Sequence, residues 1–201
     1  MPSLYLIRHG RTEWNRLWRI QGDLDVPLDE EGRRQAGALA KALEAVPLRA
    51  VYASPMQRAV ETASAIAAGH SLPLQLDPRL KERNWGQYQG MRREEAALAY
   101  AEAEQDLRTD PRSARPPGGE SFIELTERAE AALRAIAAQE EGAAAVVCHG
   151  GTIVAGLMAL LGLDSWPRTR FVIDNASISL LDVAPDGRVV THYINRCDHL
   201  A

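Results

Sequence analysis

A chain of 201 residues with 46% apolar and 25% charged side chains is about one globular domain, long enough to bury a single sizeable core. Its net charge of −4, from 23 basic and 27 acidic side chains, argues against nucleic acid as a partner, which favours a basic excess. No run of about 18 apolar residues occurs, so no membrane span is expected.

The elements read in chain order as strands alternating with helices. "LYLIRH" (4–9) is the first strand. Asp29 caps a helix over about 30–45. "AVYAS" (50–54) is the second strand. Ser54-Pro55-Met56-Gln57 then reads as a helix start, with Ser54 as N-cap, Pro55 at the first helical position and Gln57 closing a capping box. "LPLQLD" (72–77) is a third strand. Residues 91–106 form a polar, alanine-rich helix that ends in the loop "DPRSARPPGG". Ser121 and Glu124 make a second capping box, opening a helix to about 139. "AAVVCH" (144–149) is a strand, and the apolar "TIVAGLMALLG" is a buried helix opened by Gly151 or Thr152. "SISLLDV" (177–183) and "VVTHYIN" (189–195) flank the turn "APDG" and form a hairpin.

The first, second and fourth strands are continuous apolar runs, as strands buried on both faces must be. The expected fold is α/β: a three-layer α/β/α sandwich on a mainly parallel six-stranded sheet with one antiparallel edge strand. One domain spans 1–201. The segment from about 78 to 120 interrupts the alternation and reads as a helical insertion over the active edge.

Cys148 and Cys197 lie far apart in no metal-ligand spacing, and no charged-then-apolar leader is visible. A cytoplasmic setting with reduced thiols is expected. Cys148 reads as a small core residue on its strand. Arg92-Arg93 is most simply a solvated helix face.

Two histidines carry the chemical signal. His9 and His149 each follow a buried strand, and each precedes glycine: Gly10, and Gly150-Gly151. Ligands in open parallel sheets sit beyond the carboxyl ends of strands. The two histidines are therefore expected to meet. Glycine lets backbone N–H groups approach a ligand, and a helix starting after Gly150 turns its positive end to the same spot. Arg8 and Arg58 also stand at strand ends, and the arginine fork matches phosphate oxygens. A lone histidine after a strand is usually structural; the repetition at strand ends points to a site for a doubly charged anion, phosphate above all.

"LIRHGRTEWN" resembles the signature of the histidine phosphatase superfamily, the phosphoglycerate mutase-like proteins. "VPLDEEGRRQA", "VYASPMQRAVETA", "LKERNWGQYQG", "PPGGES" and "VVCHGGTIVAGL", followed by "DNASISLLD", resemble its further blocks in order, over essentially the whole chain. The resemblance implies that His9 is the nucleophile and takes the phosphoryl group on an imidazole nitrogen. It implies that Arg8, Arg58 and His149 hold the phosphoryl oxygens, and that Asn15, Gln21, Gly22 and Gly150 bind substrate. Glu82 becomes the general acid that protonates the leaving oxygen and then the base that activates water. The implied substrate is a small phosphorylated metabolite; no metal or other cofactor is needed, and a homodimer is left open.

The short passage from Glu82 to "PPGGES" resembles the compact phosphatase branch, which includes α-ribazole phosphatase-like and broad-specificity phosphatases. Gln89-Gly90 instead resembles the mutase form of its block. A cofactor-dependent phosphoglycerate mutase is thus the alternative, with a non-enzymatic phospholigand-binding protein behind it. Thr62 is expected to pack or back-bond, Thr12 to touch the site or cap a turn, and Trp14 and Trp18 to line the entrance or to be partly buried structural residues. His70, His192 and His199 have no companions of metal-ligand type. Arg11 is expected at the surface. The leaving-group pocket is expected within 78–120, among Trp85, Tyr88, Arg92, Arg93 and Tyr100.

Overall fold

The structure, a computed structural model, describes residues 1–163 and 171–201. It is built around a six-stranded sheet. The strands are β1 (Ser3–Arg8), β2 (Leu48–Ala53), β3 (Leu74–Leu76), β4 (Ala143–Cys148), β5 (Ile178–Val183) and β6 (Val189–Arg196), in the order β3-β2-β4-β1-β5-β6. β3, β2, β4 and β1 are parallel neighbours. The antiparallel pairings lie toward one edge, where β5 runs against β1 and β6 against β5.

The helices are α1 (Glu13–Arg16), α2 (Glu30–Leu43), α3 (Gln57–His70), α4 (Arg93–Ala99), α5 (Ala101–Thr109), α6 (Phe122–Gln139) and α7 (Gly150–Leu160). Side chains alternate across each strand, so one apolar run feeds two cores. Leu4, Leu6, Ala144, Val146 and Cys148 pack under α6 and α7 with Leu133, Ile136, Ile153 and Leu157. Ile7, Val51, Ala145 and Val147 pack on the opposite face with Leu39 and Leu43 of α2 and Ala59, Ala63 and Ile66 of α3. The result is the expected three-layer sandwich. The insertion adds its own small core, in which Tyr88, Ala96 and Leu107 gather Trp85 and Tyr100.

Three local expectations are corrected. Residues 91–106 do not make one helix: Tyr100 leaves helical geometry at φ −132°, ψ 52°, separating α4 from α5. Its ring lies 5.5 Å from that of Tyr88, a tertiary contact that outweighs local helix propensity. Ser54 is not the cap of α3. That helix begins at Gln57 after Met56, and the Asp25 carboxylate accepts from the Gln57 N–H at 2.6 Å instead. α7 begins at Gly150, with His149 in the N-cap position. The Ser121–Glu124 capping box forms as expected.

The loop after β1 meets the start of α2 through two glycines. A Cβ on Gly10 would lie 2.5 Å from the Gly32 carbonyl oxygen, and one on Gly32 would lie 2.0 Å from that of Arg11. Asp29 locks the contact by capping Gly32 N–H and pairing with Arg11 Nε at 2.8 Å. Arg11 is thus half-exposed but pinned. Backbone offers no compliant side chain to move, so Gly32→Ala is expected to cost about 1–3 kcal/mol, read as a lowered urea midpoint at unchanged m-value.

Candidate active site

β1 and β4 pair in register Arg8↔Cys148. His9 and His149 therefore leave the sheet side by side, and their rings lie 5.1 Å apart, edge to face. Both are buried. His9 Nδ1 is 2.7 Å from the Gly10 carbonyl oxygen. A carbonyl only accepts, so Nδ1 carries the hydrogen and Nε2 presents its lone pair. His149 is fixed the other way round. Arg58 Nε donates to its Nδ1 at 3.2 Å, so Nε2 holds the hydrogen and donates to Ser54 Oγ at 2.8 Å.

Burial, then the charges of Arg58 and Arg8, lowers the His9 pKa well below its ordinary 6.5; burial, Arg58, His9 and Arg8 do the same to His149. Both imidazoles are neutral at pH 7. Arg58 is fully buried, and burial lowers its pKa to about 10, which leaves it cationic at neutral pH. Its Nη1 and Nη2 donate to the Leu24 and Gly22 carbonyls at 2.7 Å. Arg8 Nη1 donates to Ile173 O at 2.6 Å, while its buried Nε has no partner among the described residues. Burial lowers its pKa as well. A buried guanidinium N–H without an acceptor is uncommon in native proteins and marks a place for an anion.

Glu82 reaches the same corner. Its oxygens accept from Gly151 N–H at 3.0 Å and Arg83 N–H at 2.8 Å. A Cβ on Gly151 would lie 2.4 Å from Glu82 Oε1, so this glycine makes room for the carboxyl rather than for a ligand directly. Gly150 lies against Arg8: a Cβ there would sit 3.5 Å from Nε. Thr12 caps α1, and Asn15 Oδ1 accepts from Thr12 N–H, leaving the Asn15 amide Nδ2 without an acceptor among the described residues. Gln21 is buried and bonded to Thr12 rather than directed outward on its own. Gly22 adopts φ +55°, and a Cβ there would strike the Gln89 side chain. Gln89 closes this loop by accepting from Asp23 N–H at 2.9 Å. Trp14 is partly buried as expected, but Trp18 is 84% exposed and stands away from the core.

Four residues escaped the sequence reading as parts of the site. Ser54 orients His149. Thr62 does back-bond, to Arg58 O at 2.7 Å, and also accepts Gly10 N–H at 3.0 Å, tying α3 to the loop that carries His9. Arg128 donates to the carbonyls of Arg79, Lys81 and Glu82 and to the Glu120 carboxylate, so it mounts the Glu82 segment. Asn175 Nδ2 sits 3.1 Å from His9 O and 3.2 Å from Asn15 Oδ1. The only advance signal for Asn175 was its place in "DNASISLLD". Its turn is itself braced: Ala176 takes φ +57°, His199 Nε2 lies 3.0 Å from Ala176 O, and Asn195 bonds both the N–H and the carboxylate of Asp174.

Among the described residues, no group of three or more His, Cys, Asp or Glu is placed to hold a metal ion, and no helix is long and apolar enough to cross a membrane.

The family model for the histidine phosphatase superfamily, branch 1, matches residues 4–196. The chain belongs to the histidine phosphatase superfamily. Within it, the chain is 38% identical over 174 residues to a glucosyl-3-phosphoglycerate phosphatase of Mycolicibacterium vanbaalenii, covering 82% of this chain and 77% of that one. It is 33% identical to a probable phosphoglycerate mutase of Escherichia fergusonii, covering 90% and 85%. Among solved structures, a phosphoserine phosphatase of Entamoeba histolytica bound to 3-phosphoglyceric acid superposes with TM-score 0.89 at 28% identity, over the full length of both chains.

In this histidine phosphatase superfamily member the two buried histidines link stability to pH. Their folded pKa values lie below the unfolded value of 6.5, so the unfolded chain binds more protons once the pH drops under about 6.5. Their contribution is complete above that pH and is lost below it. Urea midpoints measured from pH 7 to pH 5 are expected to fall, and to fall less steeply in His9→Ala by up to about 1.4 kcal/mol per pH unit.

Asn175 gives a second prediction. Asn175→Ala is expected to lower kcat on an aryl phosphate by roughly 10- to 100-fold with little change in KM, since misplacing the reacting group affects the chemical step. Nitrogen-15 spectra of His9 are expected to lose the single Nδ1–H form. Unchanged kcat and tautomer would show that Asn175 has no positioning role.

Proposed function

We propose that the protein is a metal-independent phosphomonoesterase that works through a phosphohistidine on His9, acting on a small phosphorylated metabolite. The observation that carries this reading is the neutral His9 ring, locked with Nε2 as its lone-pair nitrogen, next in the chain to Arg8, whose buried Nε has no partner among the described residues.

The steps follow from the geometry. Arg8, Arg58 and Asn15 Nδ2 hold the phosphoryl oxygens, with Gly150 at the start of α7 adding its helix N-terminus. His9 Nε2 attacks phosphorus and the ester P–O bond breaks. Nδ1–H, donated to Gly10 O, offsets the positive charge that grows on the ring. Glu82, as the general acid, passes a proton to the departing oxygen. Glu82 then takes a proton from water, whose oxygen attacks phosphorus and releases phosphate and free His9. His149 stays neutral between Arg58 and Ser54 and keeps the Arg58 fork in place. The loop carbonyls of Gly22 and Leu24 serve the same end; Gln21 and Gly22 shape the wall of the site. The unbridged Cys148 and Cys197 suit the reducing cytoplasm.

The mutase reading rests on the similarity to probable phosphoglycerate mutases and on Gln89-Gly90. One experiment separates the readings. p-Nitrophenyl phosphate is expected to turn over with a chelator present, and His9→Ala is expected to abolish turnover. Undiminished activity in that variant sinks the mechanism. Efficient isomerisation of 3-phosphoglycerate on addition of a bisphosphoglycerate primer overturns hydrolysis as the main activity.

A further inference from the structure

Glu82 borders two cavities. One, of about 390 Å³, has Arg8, Glu82 and Gly151 at one end and apolar walls from Phe122, Leu125, Val154, Phe171 and Ile173. The other, of about 470 Å³, is polar and is bordered by Asp23, Lys81, Glu120, Glu124 and Arg128. We propose that the apolar cavity receives the leaving group, so that the preferred substrates are phosphate monoesters of apolar alcohols and phenols. The inference rests on the phosphomonoesterase reading and names its substrate class.

The ester oxygen has to lie between the phosphoryl group and the proton donor. Arg8 and Glu82 border the apolar cavity together, whereas Arg8 does not border the polar one. The polar cavity's charged groups are mostly spent on one another: Arg128 pairs with Glu120 and donates to three carbonyls, and Arg115 pairs with Glu124 at 2.8 Å, which leaves Asp23 and Lys81 of opposite sign on the same border.

The apolar walls come from separate elements. Phe122 and Leu125 stand on α6, Val154 on α7, and Phe171 and Ile173 on the segment entering β5. Arg83 borders this cavity too, but as a wall. Its guanidinium lies 4.4 Å over the Trp85 ring, Nε donates to Glu120 O, and Nη2 faces Ala114 O at 3.3 Å. The cavity lies within the size range of small-molecule pockets, which are mostly apolar with a few placed polar groups.

A series of n-alkyl phosphates from ethyl to hexyl tests this, because their alcohols leave almost equally well and differ mainly in apolar length. With p-nitrophenyl phosphate as reference and a chelator present, kcat/KM is expected to rise about 3- to 4-fold per methylene until the cavity fills. 3-Phosphoglycerate is expected to fall well below hexyl phosphate. Val154→Asp is expected to pull the hexyl-to-ethyl ratio toward one; should that variant not fold, the near-isosteric Val154→Thr is expected to reduce the ratio several-fold. A flat wild-type series, an unchanged ratio in a folded variant, or preference for 3-phosphoglycerate overturns the apolar assignment while leaving hydrolysis standing. Absence of p-nitrophenyl phosphate turnover fails the phosphomonoesterase reading itself, and this inference with it.

Discussion

The parallel pairing of β1 with β4 in the register Arg8↔Cys148 is the constraint on which the site depends. It brings together two histidines 140 positions apart in the chain and presents their rings at the same height. A slip of one residue would turn His9 toward the other face of the sheet. The register is secured by burial on both sides: Leu4 and Leu6 feed one core, Ile7 the other. The apolar run that reads as strand filling is therefore what sets the His9 ring beside His149.

Around that pair, charge is distributed unevenly. Surface arginines such as Arg34, Arg79 and Arg196 pair with nearby acids. Arg8, part-buried, and Arg58, fully buried, hydrogen-bond to carbonyls and to an imidazole instead. Two desolvated cations close together oppose folding unless something negative offsets them. Glu82 supplies part of that offset. In the proposed reaction a phosphoryl dianion supplies the rest, and a ligand that binds only the folded chain also steadies it.

Much of this was legible in the sequence because it rests on short-range rules. The continuous apolar runs fixed the central strands, and the repeated strand-histidine-glycine pattern marked His9 and His149. What was missed depends on partners far away. Ser54-Pro55 obeys the local rule for a helix start, yet the Ser54 hydroxyl serves His149, 95 residues on. Arg128 looks like any charged residue on a helix, and only the folded chain shows it holding the Glu82 segment. The break at Tyr100 comes from a ring contact that no helical periodicity predicts. Asn175 follows the same logic: one amide in a loop, meaningful once His9 O and Asn15 Oδ1 are in place.

The mounting of His9 by Asn175 has a consequence for how the protein comes into being. His9, the proposed nucleophile, is made 166 residues before the amide that contacts its carbonyl. The turn carrying that amide is braced by Asn195 and His199, made later still. Synthesis runs from the amino end, so a growing chain carries His9 for nearly its whole passage through the ribosome without this later brace. The proposed site therefore gains its Asn175 brace only near the end of synthesis.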